Sequence, residues 1–347
     1  MRVLPTIPAT VASVKTFVSR TFMAYFSTHR FDYRRVGAYD TLNRIFFINY
    51  GGYLYCLDKN GSLLWKYAIP SEIEGGHPCV FKYVFAPADN LYCLDINGNL
   101  LWKFVCGCEH PFCGVSADGS FIYFSADNEL KKLRYDGTLV ASADSSKRTP
   151  ALTKEGIFTC DDAYLRCLSS ELTQKWAVLV DTASPPEISS PSVADSFIVT
   201  GSSKGVKAYD YDGDLRFAIE YSVAQLPTFL NDTIYCEAWE SGGDTFLVAL
   251  DKQGREKWRR SIDGLDDQGD ISPACYKNIV ARDGSIFSQD DGSPIARISA
   301  DPYLYATHNA KDRYFIIHWQ WIRCYDSDLN LLWEFAVDEI SGCAAIV

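Results

Sequence analysis

The stretch YLYCLDKNGSLLWKY, residues 53–67, returns 37 residues later as NLYCLDINGNLLWKF. Six further segments keep the same plan: ELKKLRYDGTLVASA from Glu129, YLRCLSSELTQKWAV from Tyr164, GVKAYDYDGDLRFAI from Gly205, FLVALDKQGREKWRR from Phe246, SIFSQDDGSPIARIS from Ser285 and WIRCYDSDLNLLWEF from Trp321. With the Asp of LDKNG as marker, the equivalent positions are Asp58, Asp95, Arg134, Ser169, Asp210, Asp251, Asp290 and Asp326, separated by steps of 37, 39, 35, 41, 41, 39 and 36 residues. A unit that recurs at a fixed period cannot bury its apolar face alone and needs its neighbours to do so.

A period near forty, built from short alternating strands and Gly, Asn and Asp turns, belongs to propeller blades rather than helical repeats. In each unit the motif reads as strand, tight turn, strand, with Gly supplying a positive φ in KNG, ING, YDG and KQG. Ahead of it lies a β-branched and aromatic run such as RIFFIN, FIYFSA, FIVTG or YFIIHW, which fits a buried strand. A short innermost strand introduced by proline is expected further upstream, at Pro78, Pro111, Pro150, Pro191, Pro227, Pro273 and Pro302. Proline is tolerated at a strand start, where no ladder bond is required. Trp65, Trp102, Trp176, Trp258 and Trp333 share one position in the outermost strand, where their broad apolar faces are expected to pack between blades.

The expectation is therefore an all-β, eight-bladed β-propeller of four-stranded antiparallel blades over residues 31–347, with a short N-terminal extension over residues 1–30. The first blade's innermost strand has two candidates, the N-terminal RRVGAYDT and the C-terminal SGCAAIV. The C-terminal one is favoured, because joining the last blade to the first leaves no exposed sheet edge.

These repeats resemble those of the pyrroloquinoline-quinone-like, or quinoprotein-type, propeller family, an architecture shared with WD40 propellers. LYCLDINGNLLWKF matches that family's repeat almost position by position, and the resemblance covers about residues 36–347. It implies the propeller fold. For function it implies little, since one superfold carries many activities. The family includes quinone-dependent alcohol and sugar dehydrogenases, scaffold lipoproteins and sensor domains. The dehydrogenases need a calcium site beside the quinone, and many carry adjacent cysteines in a disulfide ring. This chain has no adjacent cysteines, and Asp210-Tyr211-Asp212, Asp266-Asp267 and Asp290-Asp291-Gly292 read as turn residues.

A formal charge of −11 argues against nucleic acid, whose phosphates need a basic stripe. Of the twelve cysteines, Cys56, Cys93, Cys167 and Cys324 occupy the position held by Ala208 and Ala249 in other blades. They read as small buried thiols suited to a reducing compartment. Cys106, Cys108, His110 and Cys113 in CGCEHPFC offer donors adequate for zinc, though in no familiar spacing. His77 and His110, with Arg148, are candidates for one mouth of the central channel. No nucleophile motif accompanies the five histidines.

Residues 1–30 carry Arg2, Lys15, Arg20 and Arg30 and no acidic residue, and Val11, Val14, Val18, Phe22 and Tyr25 recur at helical spacing. A basic amphipathic helix fits, acting as a cap on the propeller, as an organelle transit peptide, or as a docking element for a membrane surface or partner. No secretory or transmembrane run is seen. The functional expectation is a soluble, non-enzymatic propeller for protein or peptide recognition, cytoplasmic or organelle-targeted, with no cofactor. The alternative is a quinone-dependent alcohol or sugar oxidoreductase using pyrroloquinoline quinone and calcium. The blades from Glu129 and Ser285 lack an aromatic at the tryptophan position, through either a docking role or relaxed packing.

Overall fold

Each core motif folds as expected into two strands around a tight turn. In blade 1, Tyr53–Leu57 pairs antiparallel with Leu63–Ala68. The turn is closed from Gly61 N–H to Asp58 O at 3.1 Å, and Asp58 Oδ1 accepts the amides of Asn60 and Ser62 at 2.8 and 2.9 Å. The same carboxylate brace recurs at Asp95, Asp210, Asp251 and Asp326. In blade 4 the Ser169 hydroxyl replaces it. The side chains of Asn99 and Asn330, helped by turn amides, hold Asp95 and Asp326 below the usual carboxylate range.

The computed structural model describes residues 38–336 apart from connecting segments, the longest being 70–77, 107–113 and 264–272. It is an eight-bladed propeller in which every blade is an antiparallel meander running from inner to outer strand. Blade 6 carries an extra two-residue strand, Val223–Ala224, beside its inner strand Thr228–Leu230. Strand alternation divides each blade's buried residues between its two neighbours. In blade 1, Phe46, Ile48, Leu54 and Cys56 pack with blade 2, while Ile45, Phe47, Tyr55 and Leu57 pack with blade 8. Such a cluster fills every one of the eight blade interfaces. The core is therefore a ring of sheet-on-sheet contacts, which lets one domain exceed the size of a single compact core.

Closure differs from the expectation. The inner strand of blade 1 is Ala38–Tyr39, paired as Ala38↔Phe46 and Tyr39↔Ile45. RRVGAYDT thus fills the place for which SGCAAIV was favoured. A segment separated from its partner strand by a few residues closes a far smaller loop than one returning around the ring. Each blade is consequently one continuous stretch of chain, and among the described residues no strand pairing joins blades 8 and 1. Residues 1–30 and 337–347 lie outside the described residues.

Three alignments also shift. In blade 7 the pair Phe287↔Pro294 corresponds to Leu94↔Leu100 of blade 2, so Ser288, not Asp290, holds the marker position. Its turn is one residue longer, and Gly292 N–H bonds back to Ser288 O at 3.0 Å. In blade 3 the inner strand is Ser116–Ala117, preceded by Val115 where blades 2, 4, 5, 6 and 7 have proline. Pro111, four residues upstream, is not part of that register, and Cys113 precedes the strand instead of lying inside it. In blade 8 the register His308↔Phe315↔Cys324 puts Thr307 at the proline position, five residues beyond Pro302.

Candidate functional site

The propeller has two loop-bearing faces. One carries the inner hairpin turns and the core-motif turns; the other carries the links from each outer strand to the next inner strand. Arg148 lies on the second face, between blades 3 and 4. Its carbonyl accepts the Ser125 hydroxyl at 2.7 Å and its amide donates to Cys160 O at 3.2 Å. Beside it a polar collar ties the inner strands together. Gly114 N–H donates to Thr149 Oγ1 at 2.7 Å, Thr149 N–H to Ser190 Oγ at 3.2 Å, and Ser116 Oγ to Pro150 O at 2.6 Å. His77 and His110 lie outside the described residues. Of the proposed zinc donors only Cys106 is described: its Sγ lies 3.6 Å from Phe104 O and the side chain packs at the blade 2–3 interface. Cys108, His110 and Cys113 are outside the described residues, and among those described no cluster of His, Cys, Asp or Glu suits a metal.

The tryptophans occupy a repeated dock. Trp65 of blade 1 lies on the turn of blade 2, with its Nε1 donating to Ile96 O at 3.2 Å. A Cβ on Gly98, where φ is +88°, would stand 2.7 Å from the Trp65 ring, so only glycine fits beneath it. Trp102 meets Gly137 and Tyr135 O, Trp176 meets Gly213 and Tyr211 O, Trp258 meets Gly292 and Gln289 O, and Trp333 meets Gly61 and Lys59 O. Phe217 takes the place in blade 5, over Gly254. On the strand behind, Cys56, Cys93, Cys167 and Cys324 stand directly opposite their tryptophans. All four thiols are buried, and burial pushes Cys167 up to about 11 and Cys324 up to about 12.

Blades 3 and 7 have Ala141 and Ala296 at this position. In both cases the following turn has leucine where glycine stands elsewhere: Leu172 with φ 63° and Leu329 with φ 68°. Leu172 is buried in one cluster with Tyr123, Leu130, Ile157 and Leu168, against which Ala141 packs. In blade 3, moreover, Lys132 Nζ donates to Ser170 O at 2.6 Å, the carbonyl that an indole N–H would otherwise take. In blade 3 the missing aromatic is thus replaced from the neighbouring blade, whereas in blade 7 Leu329 packs on the cluster of Val280, Ile286, Tyr314 and Tyr325 and Ala296 stays exposed.

These two exchanges divide the ring into arcs of four blades whose rims differ. In every blade the third and outer strands slip by one residue after the turn, leaving a bulged residue. In blade order these are Leu64, Leu101, Val140, Lys175, Arg216, Lys257, Ile295 and Leu332. The three basic ones are consecutive and tied to their own blades: Lys175 to Glu155 O, Arg216 to Ser196 Oγ at 3.0 Å, and Lys257 to Thr233 Oγ1 at 2.8 Å. On blades 8, 1, 2 and 3 the apolar bulges are joined by Leu331, Leu63, Leu100 and Leu139. The result is eight large apolar side chains, each 41–52 % exposed. Each Trp dock ties the strand carrying one pair to the turn that leads into the next: Trp333, after Leu331-Leu332, lies on Gly61 ahead of Leu63-Leu64, Trp65 on Gly98 ahead of Leu100-Leu101, and Trp102 on Gly137 ahead of Leu139-Val140. Sequence reading missed this rim. Its signal was present in LLWKY, LLWKF and LLWEF, where two successive apolar residues break the alternation of a half-buried strand.

No protein-family model matches the chain, and no curated protein sequence matches it. Solved structures do. Sqt1 of Saccharomyces cerevisiae aligns with TM-score 0.60 at 11% identity, covering 77% of this chain and 85% of that one. Apo AztD from Citrobacter koseri aligns with TM-score 0.58 at 11% identity, covering 87% and 97%. A streptogramin B lyase aligns with TM-score 0.53 at 11% identity, covering 84% and 96%. The class of protein is thus settled as a β-propeller. At these identities the likeness is one of fold.

Proposed function

We propose that this propeller is a non-enzymatic recognition scaffold for a protein or peptide, and that the quinoprotein-type character of its repeats is structural. The observation that carries this reading is the exposed apolar rim on blades 8, 1, 2 and 3, since extended apolar surface on a folded domain marks an interaction site. It sits on a rigid ring, where a partner meets a preformed surface and little ordering cost. The buried thiols suit a reducing compartment, cytoplasmic or organellar. Among the described residues no helix is long and apolar enough to cross a membrane.

Two measurements test the reading. A photo-cross-linking amino acid placed in turn at Leu64, Leu215 and Arg148, in extracts of the native cell, should give a discrete cross-linked product from at least one position; none from any would defeat it. Calorimetric titration of the reduced protein with pyrroloquinoline quinone and calcium, followed by dye-linked alcohol and aldose oxidation, should show neither tight binding nor turnover. Both together would establish the oxidoreductase instead.

A further inference from the structure

We infer that the partner of the rim is an acidic, apolar protein segment that docks across the outer strands of blades 1 and 2. This deepens the scaffold reading and rests on it.

The outer strand of blade 1 turns Trp65 and Tyr67 toward blade 2, and exposes Leu64, Lys66 and Ala68. Blade 2 repeats the arrangement with Leu101 and Lys103 exposed and Trp102 and Phe104 turned inward. The Trp65 ring lies on Gly98, two residues before Leu100, so the dock ties the strand that carries the first apolar pair to the turn that leads into the second. The surface therefore offers apolar side chains with a cation two residues beyond each bulge, and Lys59 adds a third at the neighbouring turn.

Lys66 and Lys103 lie over the rings of Tyr53 and Tyr92, at 5.0 and 5.7 Å from their centroids. Lys59, Lys66 and Lys103 form no ion pair among the described residues. Elsewhere some exposed cations are neutralised, Arg255 by Asp251 at 2.7 Å, Arg259 by Glu256 at 2.6 Å and Arg323 by Glu334 at 2.6 Å, while Lys175, Arg216 and Lys257 are tied to oxygens of their own blades. In a chain of net charge −11, a patch that keeps leucines exposed and lysines unpaired is complementary to apolar side chains flanked by carboxylates. The basic stretch before Arg30 has the wrong sign to cover it. A second copy of the patch would set lysine against lysine.

The test is a phage-displayed library of random 16-residue peptides selected on the full-length chain, with each enriched peptide then measured by fluorescence anisotropy. The expected winners combine Leu, Ile or Phe with Asp or Glu. Binding should weaken at least tenfold in Leu64→Asp/Leu101→Asp and in Lys66→Glu/Lys103→Glu, and persist in Leu215→Asp on the opposite arc. The Lys→Glu variant cannot fail merely by unfolding, because its side chains are exposed, and near-UV circular dichroism checks each protein. Peptides that are basic, or that bind the rim variants as well as the parent, overturn the proposal; so does a library that yields no saturable binder. Rim-dependent sedimentation with phosphatidylserine vesicles in place of peptide binding would assign the patch to a lipid surface and likewise overturn it. A cross-link from Arg148 but none from Leu64 would leave the scaffold reading standing while this one falls.

Discussion

Trp333 and Gly61, 272 positions apart in sequence, are in contact across the seam of the ring: a Cβ on Gly61 would lie 2.7 Å from the Trp333 indole, and Trp333 Nε1 donates to Lys59 O at 2.9 Å. Arg313 of blade 8 donates to the same carbonyl. The buried cluster of Ile45, Phe47, Tyr55, Leu57, Phe315, Ile322 and Cys324 lies behind it. Side-chain packing holds this seam as it holds every other interface.

Trp333→Ala should therefore destabilise the protein about as much as Trp65→Ala. A half-buried indole sits at the lower end of the range for tryptophan truncation, about 2–4 kcal/mol. Urea unfolding measures both. A silent Trp333→Ala beside a damaging Trp65→Ala would show that the seam is not closed in solution.

The exchange of Trp-over-Gly for Ala-beside-Leu predicts strong coupling between blades 3 and 4. Ala141→Trp alone should destabilise, since the indole meets Leu172, and Leu172→Gly alone should leave a cavity. The double variant should recover stability, with an interaction of roughly 1–3 kcal/mol in a double-mutant cycle. Strict additivity would contradict the docking geometry.

The buried thiols predict an alkaline limb of stability. Burial raises Cys167 to about 11 and Cys324 to about 12 in the folded chain, against about 8.5 unfolded. A folded value above the unfolded one contributes stability that is complete below about pH 8.5 and is lost as pH climbs toward the folded values. Urea midpoints should fall between pH 8 and pH 10. Replacing Cys56, Cys93, Cys167 and Cys324 by Ala, the residue blades 5 and 6 use there, should flatten part of that fall. In the native protein at pH 8 these four should resist iodoacetamide, as peptide mass spectrometry would report.

Asp161 predicts an acid limb of opposite sign. Burial alone would raise this carboxyl, but the Arg166 guanidinium at 2.7 Å and the amides of Ala163 and Tyr164 outweigh it and hold it below its ordinary value. Its contribution is present above about pH 3.9 and is lost as pH falls further. Asp161→Asn should cost about 1 kcal/mol at pH 7, given the partial exposure of the pair. Below pH 3 the difference from wild type should shrink, as acid unfolding curves of the two proteins would show.

What the sequence alone determined is what each blade carries within itself. Alternation in FIYFSA, the Asp or Ser brace of the turn and the glycine of ING are local signals, and eight copies at one period define a propeller whatever the long-range contacts. The candidate site was less legible, because a site on a ring depends on which blades stand side by side and which side chains remain uncovered. The tertiary structure decided that Ala38–Tyr39 fills the first blade, that Leu172 packs where blade 3 lacks its aromatic, and that the leucine pairs of blades 8, 1, 2 and 3 stay exposed on four consecutive blades. The first follows from which of two competing segments reaches the edge of that sheet, and the others from packing between segments distant in sequence. Periodicity reports such packing only as a departure from its own rule, as in the unexplained second leucine of LLWKY.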